Sequence, residues 1–258
     1  TYTATDACGN ASSKSQVLHV VDTIAPQLHG VPSDITVECD EVPTAPVVTA
    51  TDNCSSPVVK ATETRQNGNC SGRWTIIRTW TAVDKAGNEV TQTQVIHVAD
   101  TTAPVFTGNL PGDLTAECDA IPSPPELTAS DNCSNATVRL REVAQPGDCV
   151  GRSRITRTWT ATDSCGNAST HVQVINVIDT EAPKMSADPQ DVVAECDHIP
   201  NAASLTASDT CDSNVSVHLT QVTTPGTCKG ESTISRTWTA TDDCGNIDEV
   251  SQLVSVRD

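Results

Sequence analysis

Two residue types recur at fixed intervals in this 258-residue chain and carry most of its chemistry, cysteine and aspartate. Cys118, Cys133, Cys149 and Cys165 are followed in the same order by Cys196, Cys211, Cys228 and Cys244, and preceded by Cys39, Cys54 and Cys70, with Cys8 ahead of them. None belongs to the close Cys-x-x-Cys pair of a structural zinc site, so the expected chemistry is disulfide formation in an oxidising compartment. Aspartates recur in the same frame as Asp22, Asp52 and Asp84, then Asp100, Asp131 and Asp163, then Asp179, Asp209 and Asp242. Three carboxylates brought together suit Ca2+, which takes six to eight oxygen ligands. Aspartate is also an ordinary turn residue, because its side chain accepts backbone N–H bonds.

The elements that position these residues follow from a repeat. Trp80, Trp159 and Trp238 stand 79 residues apart, each inside a copy of Arg157-Thr-Trp-Thr-Ala-Thr-Asp-Ser-Cys-Gly-Asn167. Ile155, Arg157, Trp159, Ala161 and Asp163 share one parity and threonines fill the other, which predicts a strand with one face in the core and one in water. The Asp-Ser-Cys-Gly-Asn that follows reads as the turn of a β-hairpin, whose return strand is Val172 to Ile178. Further strands are predicted near Asp113 to Cys118, Glu126 to Ser130 and Thr137 to Val143.

The fold class is therefore all-β: tandem immunoglobulin-like β-sandwiches of about 79 residues, disulfide-stapled and strung like beads. Residues 1–21 read as the closing hairpin of a truncated preceding repeat, with a strand at Val17 to Val21, and residues 22–99, 100–178 and 179–258 as repeats 1, 2 and 3. Asp22-Thr-Ile-Ala-Pro26, Asp100-Thr-Thr-Ala-Pro104 and Asp179-Thr-Glu-Ala-Pro183 are read as short stiff linkers. Aromatic residues make up only 2% of the chain, so each core is small and benefits from a covalent staple.

Strand order suggests a wiring. In an immunoglobulin-like sandwich the loop holding Cys133 and the hairpin turn holding Cys165 share one pole, and Cys118 and Cys149 share the other. The expected pairs are Cys118–Cys149, Cys133–Cys165, Cys196–Cys228, Cys211–Cys244 and Cys39–Cys70. Ala86 replaces the hairpin cysteine of repeat 1, so Cys54 and Cys8 are left unpaired within this segment. A rival wiring joins Cys8 to Cys39 and Cys165 to Cys196 across the linkers and orphans Cys118. The linker enters at the pole carrying Asp131 and Asp163, so each set of three aspartates is expected to converge at an inter-repeat junction and hold Ca2+, with Asp40 or Asp119 as an added ligand. Arg78, Arg157 and Arg236 are expected to lie along the tryptophan rings or to pair with Glu38, Glu117 and Glu195.

Asp-Thr-Thr-Ala-Pro, Thr-Ala-Ser-Asp131-Asn-Cys-Ser and Thr-Ala-Thr-Asp163-Ser-Cys-Gly-Asn resemble the hyalin repeat and related immunoglobulin-like repeats of surface proteins. The resemblance implies an elongated extracellular glycoprotein of adhesion, cell coats or filaments, often with calcium.

A net charge of −18 argues against nucleic acid or an anionic membrane as partner, and no apolar run reaches the length of a membrane span. Asn-x-Ser/Thr triplets begin at Asn10, Asn53, Asn69, Asn132, Asn135, Asn167 and Asn214, all in predicted loops or turns, and mark candidate glycosylation sites. No nucleophile elbow, zinc-protease helix or phosphate loop occurs, and every prominent feature is repeated, unlike a catalytic site. The expected function is a structural repeat segment of a long extracellular, glycosylated filament, stalk or cell-surface coat. Its expected partners are further repeats of the same chain and like chains in a filament. The alternative is an adhesin whose repeats bind a glycan or protein ligand, which calls for an exposed aromatic platform.

Overall fold

The computed structural model describes residues 1–258 and is all-β, with twenty strands and no helix. The chain divides into two compact units. The first holds Thr1–Ala103 together with two loops of the middle repeat, Asp131–Ala136 and Asp163–Asn167. The second holds Pro104–Ser130, Thr137–Thr162 and Ala168–Asp258.

In the first unit, β1 (Tyr2–Thr5) and β2 (Ala11–Lys14) form a two-stranded hairpin with all eight residues exposed. The strand expected at Val17 to Val21 is absent, and Val17, Leu18, Val20 and Val21 are exposed. A lone hairpin offers no apolar layer on which a further alternating run can pack. Next come β3 (Gln27–His29), β4 (Ile35–Val37), β5 (Thr49–Thr51), β6 (Val58–Asn67), β7 (Trp74–Val83) and β8 (Glu89–Val98). They make a four-stranded sheet of order β4-β8-β7-β6, with β4 parallel to β8, and a two-stranded sheet of β3 and β5.

The second unit carries the same six-strand plan twice. One set is β9 (Val105–Thr107), β10 (Leu114–Glu117), β11 (Thr128–Ser130), β12 (Thr137–Pro146), β13 (Ser153–Thr162) and β14 (Ala168–Ile178). The other is β15 (Lys184–Met185), β16 (Val192–Glu195), β17 (Ala207–Ser208), β18 (Ser216–Pro225), β19 (Ser232–Thr241) and β20 (Ile247–Arg257). Their four-stranded sheets run β10-β14-β13-β12 and β16-β20-β19-β18, beside the pairs β9–β11 and β15–β17.

The tryptophan strand obeys its sequence parity: Ile155, Arg157, Trp159, Ala161 and Asp163 are all buried, and the intervening threonines are half-exposed. Each core has a tryptophan end and an isoleucine end. In repeat 1, Trp80 and Ala82 pack with Leu28 and Val48, while Ile76, Ile96 and Val98 pack with Ile35, Val37 and Cys39. Burying one tryptophan and a few branched aliphatic side chains contributes roughly 2 kcal/mol per large side chain, a modest core for three such sandwiches.

The arginine inside each core has a partner other than the two expected. Arg157 Nε donates to Glu142 Oε2 at 2.6 Å and its Nη2 to the Pro122 carbonyl at 2.7 Å. Arg78 does the same with Glu63 and Pro43, at 2.8 and 2.7 Å. In repeat 3 Arg236 uses Gln221 and the Pro200 carbonyl. Glu142 faces Arg157 directly in the β12–β13 register, so the neighbouring strand supplies the counter-charge and Glu117 is left free for another contact.

The hairpin turn is built by aspartate. Asp163 Oδ1 accepts the backbone N–H of Cys165 and of Asn167, each at 2.8 Å, and its Oδ2 accepts Asn167 Nδ2 at 2.7 Å. Gly166 takes φ 92° between them, a conformation that disfavours any side chain. Asp84 with Asn88 and Asp242 with Asn246 repeat the arrangement.

Candidate functional site

The functional features gather where one repeat meets the next, and covalent bonds define that place. Cys39 is bonded to Cys133 and Cys70 to Cys165, with Cα atoms 5.6 and 5.2 Å apart. Cys118 is bonded to Cys211 and Cys149 to Cys244, at 5.9 and 5.2 Å. Cys8, Cys54, Cys196 and Cys228 are free and exposed.

These bonds replace the expected pairs Cys39–Cys70, Cys118–Cys149, Cys133–Cys165, Cys196–Cys228 and Cys211–Cys244. They also differ from the rival wiring through Cys8–Cys39 and Cys165–Cys196. Cys133 and Cys165 do lie on the same side of their repeat, toward repeat 1, as Cys118 and Cys149 lie together toward repeat 3. The loops Asp131–Ala136 and Asp163–Asn167 group with repeat 1 and not with the body of their own repeat, so Cys133 and Cys165 have their partners in the preceding repeat; Cys118 and Cys149 have theirs in the following one. The partners are 93 to 95 residues apart, longer than the repeat itself.

The aspartates sit beside these bridges. Ligand oxygens of Asp100, Asp131 and Asp163 lie within 4.8 Å of one another, as do those of Asp22, Asp52 and Asp84. In the third set Asp179 and Asp209 are equally close, and Asp242 stands near enough to act on Asp179 electrostatically. Glu38 joins Asp100 beside Cys133, whereas Asp40 lies with the Cys39–Cys133 bridge and Asp119 is in no such cluster.

Asp100 and Asp179 are wholly buried. Asp100 Oδ2, Asp131 Oδ2 and both side-chain oxygens of Asp179 are buried without a hydrogen-bond partner, as is Asp52 Oδ1. Burial pushes the Asp100 carboxyl up from its ordinary value, and the charges of Asp131 and Asp163 push it further. Asp179 is raised in the same way, by burial and then by Asp209 and Asp242. For Asp163 burial works upward too, but the Asn167 side chain and the backbone N–H groups of the turn hold it below the ordinary value.

The linkers that begin at Asp100 and Asp179 are clamped from the preceding repeat. Glu117 accepts the Thr180 hydroxyl at 2.7 Å and its N–H at 3.2 Å, and Glu38 receives the same two groups of Thr101. Gly151 lies over Asp179, where a Cβ would come within 2.8 Å of the carboxylate and 2.9 Å of Cys211 Cβ. Gly72 sits likewise over Asp100. The invariant spacing of these glycines after Cys70 and Cys149 was the available signal for this contact.

Of the candidate glycosylation residues, Asn10, Asn53, Asn69, Asn132, Asn135 and Asn214 are exposed and Asn167 is half-buried. Asn10 and Asn167 direct their side-chain nitrogens onto the turn aspartates Asp6 and Asp163, both at hydrogen-bonding distance.

The HYR-like domain with four cysteines matches residues 29–98, 106–177 and 183–256. The chain belongs to this family. Two proteins named Hyalin share its sequence features. One, from Lytechinus variegatus, is 31% identical over 203 residues, which are 72% of this chain and 38% of that protein. The other, from Strongylocentrotus purpuratus, is 31% identical over 214 residues, 76% of this chain and 17% of that protein. The chain thus spans well under half the length of either. Among solved structures, extracellular cadherin domains 1–4 of protocadherin gamma B7 give a TM-score of 0.37 at 13% identity, covering 90% of this chain and 76% of that one. That likeness is too slight to bear on the fold. In repeat 2 all four cysteines are bridged, Cys133 and Cys165 backward to repeat 1 and Cys118 and Cys149 forward to repeat 3.

Proposed function

We propose that this chain is a structural repeat segment of a long extracellular, glycosylated filament, stalk or coat protein, in which each HYR-like repeat is tied to the next by two disulfides. The observation that carries this reading is the pair of cross-repeat bridges at each of two successive junctions. Bridges confined to single repeats would stabilise each sandwich separately; bridges between repeats make tension pass through covalent bonds. Disulfide density of this kind belongs to oxidising surroundings. The repetition of every feature supports a structural role over a catalytic one.

The adhesin reading lacks its platform: Trp80, Trp159 and Trp238 are buried, and Trp74 is stacked under the Arg65 guanidinium at 3.9 Å. For the same extracellular setting, we assign glycans to Asn53, Asn69, Asn132, Asn135 and Asn214 rather than to Asn10 and Asn167, whose amide nitrogens already serve the turns.

The carboxylate sets Asp22/Asp52/Asp84, Asp100/Asp131/Asp163 and Asp179/Asp209/Asp242 are proposed to hold Ca2+. Orphaned buried carboxylate oxygens support this, because a buried anion without hydrogen bonds is costly and a bound cation removes the cost. Carboxylate donors fit a hard ion of this kind. Glu38 and Glu117 hold the linkers in place beside it.

An antibody to the segment tests the reading in the source cells. Surface or matrix labelling without permeabilisation, in material that resists extraction until reductant is added, is the expected result. Labelling only after permeabilisation would overturn it.

A further inference from the structure

Two candidate acceptor triplets have the same spelling, Asn69-Cys70-Ser71 and Asn132-Cys133-Ser134, and in each the middle residue is a bridged cysteine. Both asparagines are exposed. Their bridges, however, run in opposite directions along the chain. Cys70 is joined to Cys165, at a sequence separation of 95 toward the C-terminus, whereas Cys133 is joined to Cys39, at a separation of 94 toward the N-terminus.

The contacts that tie up the two triplets follow the same directions. Ser71 Oγ, the hydroxyl that completes the first triplet, lies 2.7 Å from Ser164 Oγ, beside Cys165. The second triplet is wound round Asp131, whose Oδ1 accepts the N–H groups of Cys133 and Ser134, each at 2.9 Å. Its Asn132 carbonyl lies 3.6 Å from Cys39 Sγ. The loop that holds it, Asp131–Ala136, groups with repeat 1, whose last strand ends at Val98. Cys39, Asp131 and the whole of repeat 1 have therefore been synthesised by the time Ser134 is added. Ser164 and Cys165 follow Asn69 only after on the order of ten seconds of further synthesis.

We infer, on the reading of the chain as a secreted glycoprotein, that disulfide formation competes with N-glycosylation at Asn132 and spares Asn69. In the transfer, the asparagine Nδ2 attacks the anomeric carbon of a lipid-pyrophosphate-linked oligosaccharide. The C–N bond forms, the C–O bond to pyrophosphate breaks, and the amide gives up one proton. The transferase recognises the asparagine together with the hydroxyl two residues on, so it needs the triplet as free chain. The Cys39–Cys133 bond removes that freedom. It forms by thiol–disulfide exchange: the two protein thiols lose two protons and two electrons, and one oxidised glutathione becomes two reduced molecules. Such exchange takes seconds upward, the same timescale as synthesis of a repeat. Asn132 thus receives its sugar before the bond forms or not at all, while Asn69 meets the transferase before Cys165 exists.

The test is site occupancy in the chain expressed through a eukaryotic secretory pathway. Enzymatic deglycosylation in heavy-oxygen water converts each sugar-bearing asparagine to a mass-tagged aspartate, counted by mass spectrometry over all chains, secreted and retained. Asn69 should be close to fully occupied and Asn132 well below it. Cys39→Ser leaves both triplets intact and should raise occupancy at Asn132 severalfold without moving Asn69, and Cys165→Ser should move neither. Unchanged occupancy at Asn132 in Cys39→Ser, with Asn69 occupied, would overturn the inference. So would an equal rise at Asn132 in the double variant C118S/C149S, which opens the other junction and would point to slower folding in general. Absence of sugar from Asn69, Asn135 and Asn214 alike would overturn the glycoprotein reading and the inference with it. Because retained chains are counted too, the result stands whether or not a variant folds.

Discussion

Cys70 and Cys165 stand 5.2 Å apart at their Cα atoms at a sequence separation of 95, the end of one repeat and most of the next. The bond turns a junction of a few linker residues into a closed loop. In the chain-entropy account, one such closure limits the unfolded ensemble by roughly 4 to 5 kcal/mol. Cys39–Cys133 closes an overlapping loop, so its further contribution is smaller.

Removing the bridges one junction at a time should therefore separate local from shared stability. The double variant C118S/C149S frees Cys211 and Cys244 and should lower the unfolding midpoint of repeats 2 and 3 while repeat 1 keeps its own. If the bonds were internal to repeats, the same variant would unfold repeat 2 alone. Hydrogen exchange read by mass spectrometry distinguishes the two.

Ca2+ should raise the melting temperature, and Asp100→Asn should weaken that response at one junction. With free ion at about a hundred times Kd, a bound site adds about 2.7 kcal/mol. The response should be lost on chelation. Calorimetry with and without chelator measures it, and an identical melting curve in both would count against the ion site.

The pH dependence without the ion has a defined sign. The folded-state carboxyls of Asp100 and Asp179 are raised above 3.8, so the folded chain binds those protons more tightly than the unfolded chain. Their contribution is fully present below pH 3.8 and is lost as pH rises through the raised value. Asp84 and Asp163 are lowered, so their contribution is present above 3.8 and lost as pH falls through the folded value. In chelator, Asp100→Asn should flatten the fall in stability on the alkaline side of 3.8, and Asp163→Asn the fall on the acid side. Urea titrations from pH 3 to 7 check both signs.

Gly151→Ala should cost more than Gly166→Ala. Both residues have φ near 90°, which penalises a side chain by roughly 1 to 2 kcal/mol. A Cβ at Gly166 meets nothing within 4 Å, whereas one at Gly151 collides with Asp179 and Cys211. Equal losses in urea unfolding would mean that the junction is not packed as described.

Within the sandwich, Glu142→Gln should be mild, under about 1 kcal/mol, because repeat 3 uses Gln221 against its arginine. Arg157→Leu should cost about 1 to 3 kcal/mol through the stranded Pro122 carbonyl. Thermal unfolding of both variants provides the comparison.

The tryptophan strand was legible because ten residues of strict alternation outlast chance, and the hairpin turn because Asp-Ser-Cys-Gly-Asn states its own chemistry. The pole carrying Cys133 and Cys165 could be read from strand order. The partners of those cysteines could not, since the bond leaves the repeat and the pattern within one repeat holds no trace of it. Strand β9 was missed for another reason: Val105–Thr107 is three residues long and exists by pairing with Thr128–Ser130, a contact that short alternation cannot announce. The counter-ion of Arg157 was likewise set by cross-strand register, fifteen residues away at Glu142. The convergence of the aspartates followed from placing loops at poles, but the full burial of Asp100 and Asp179 depends on glycines at 72 and 151 that composition does not single out.

Non-reducing peptide mapping of the native chain reads the covalent stitching of each repeat to the next without an intermediary. The expected bonds are Cys39–Cys133, Cys70–Cys165, Cys118–Cys211 and Cys149–Cys244. Peptides joining Cys118 to Cys149 and Cys133 to Cys165 would contradict it and return the chain to separately stapled sandwiches.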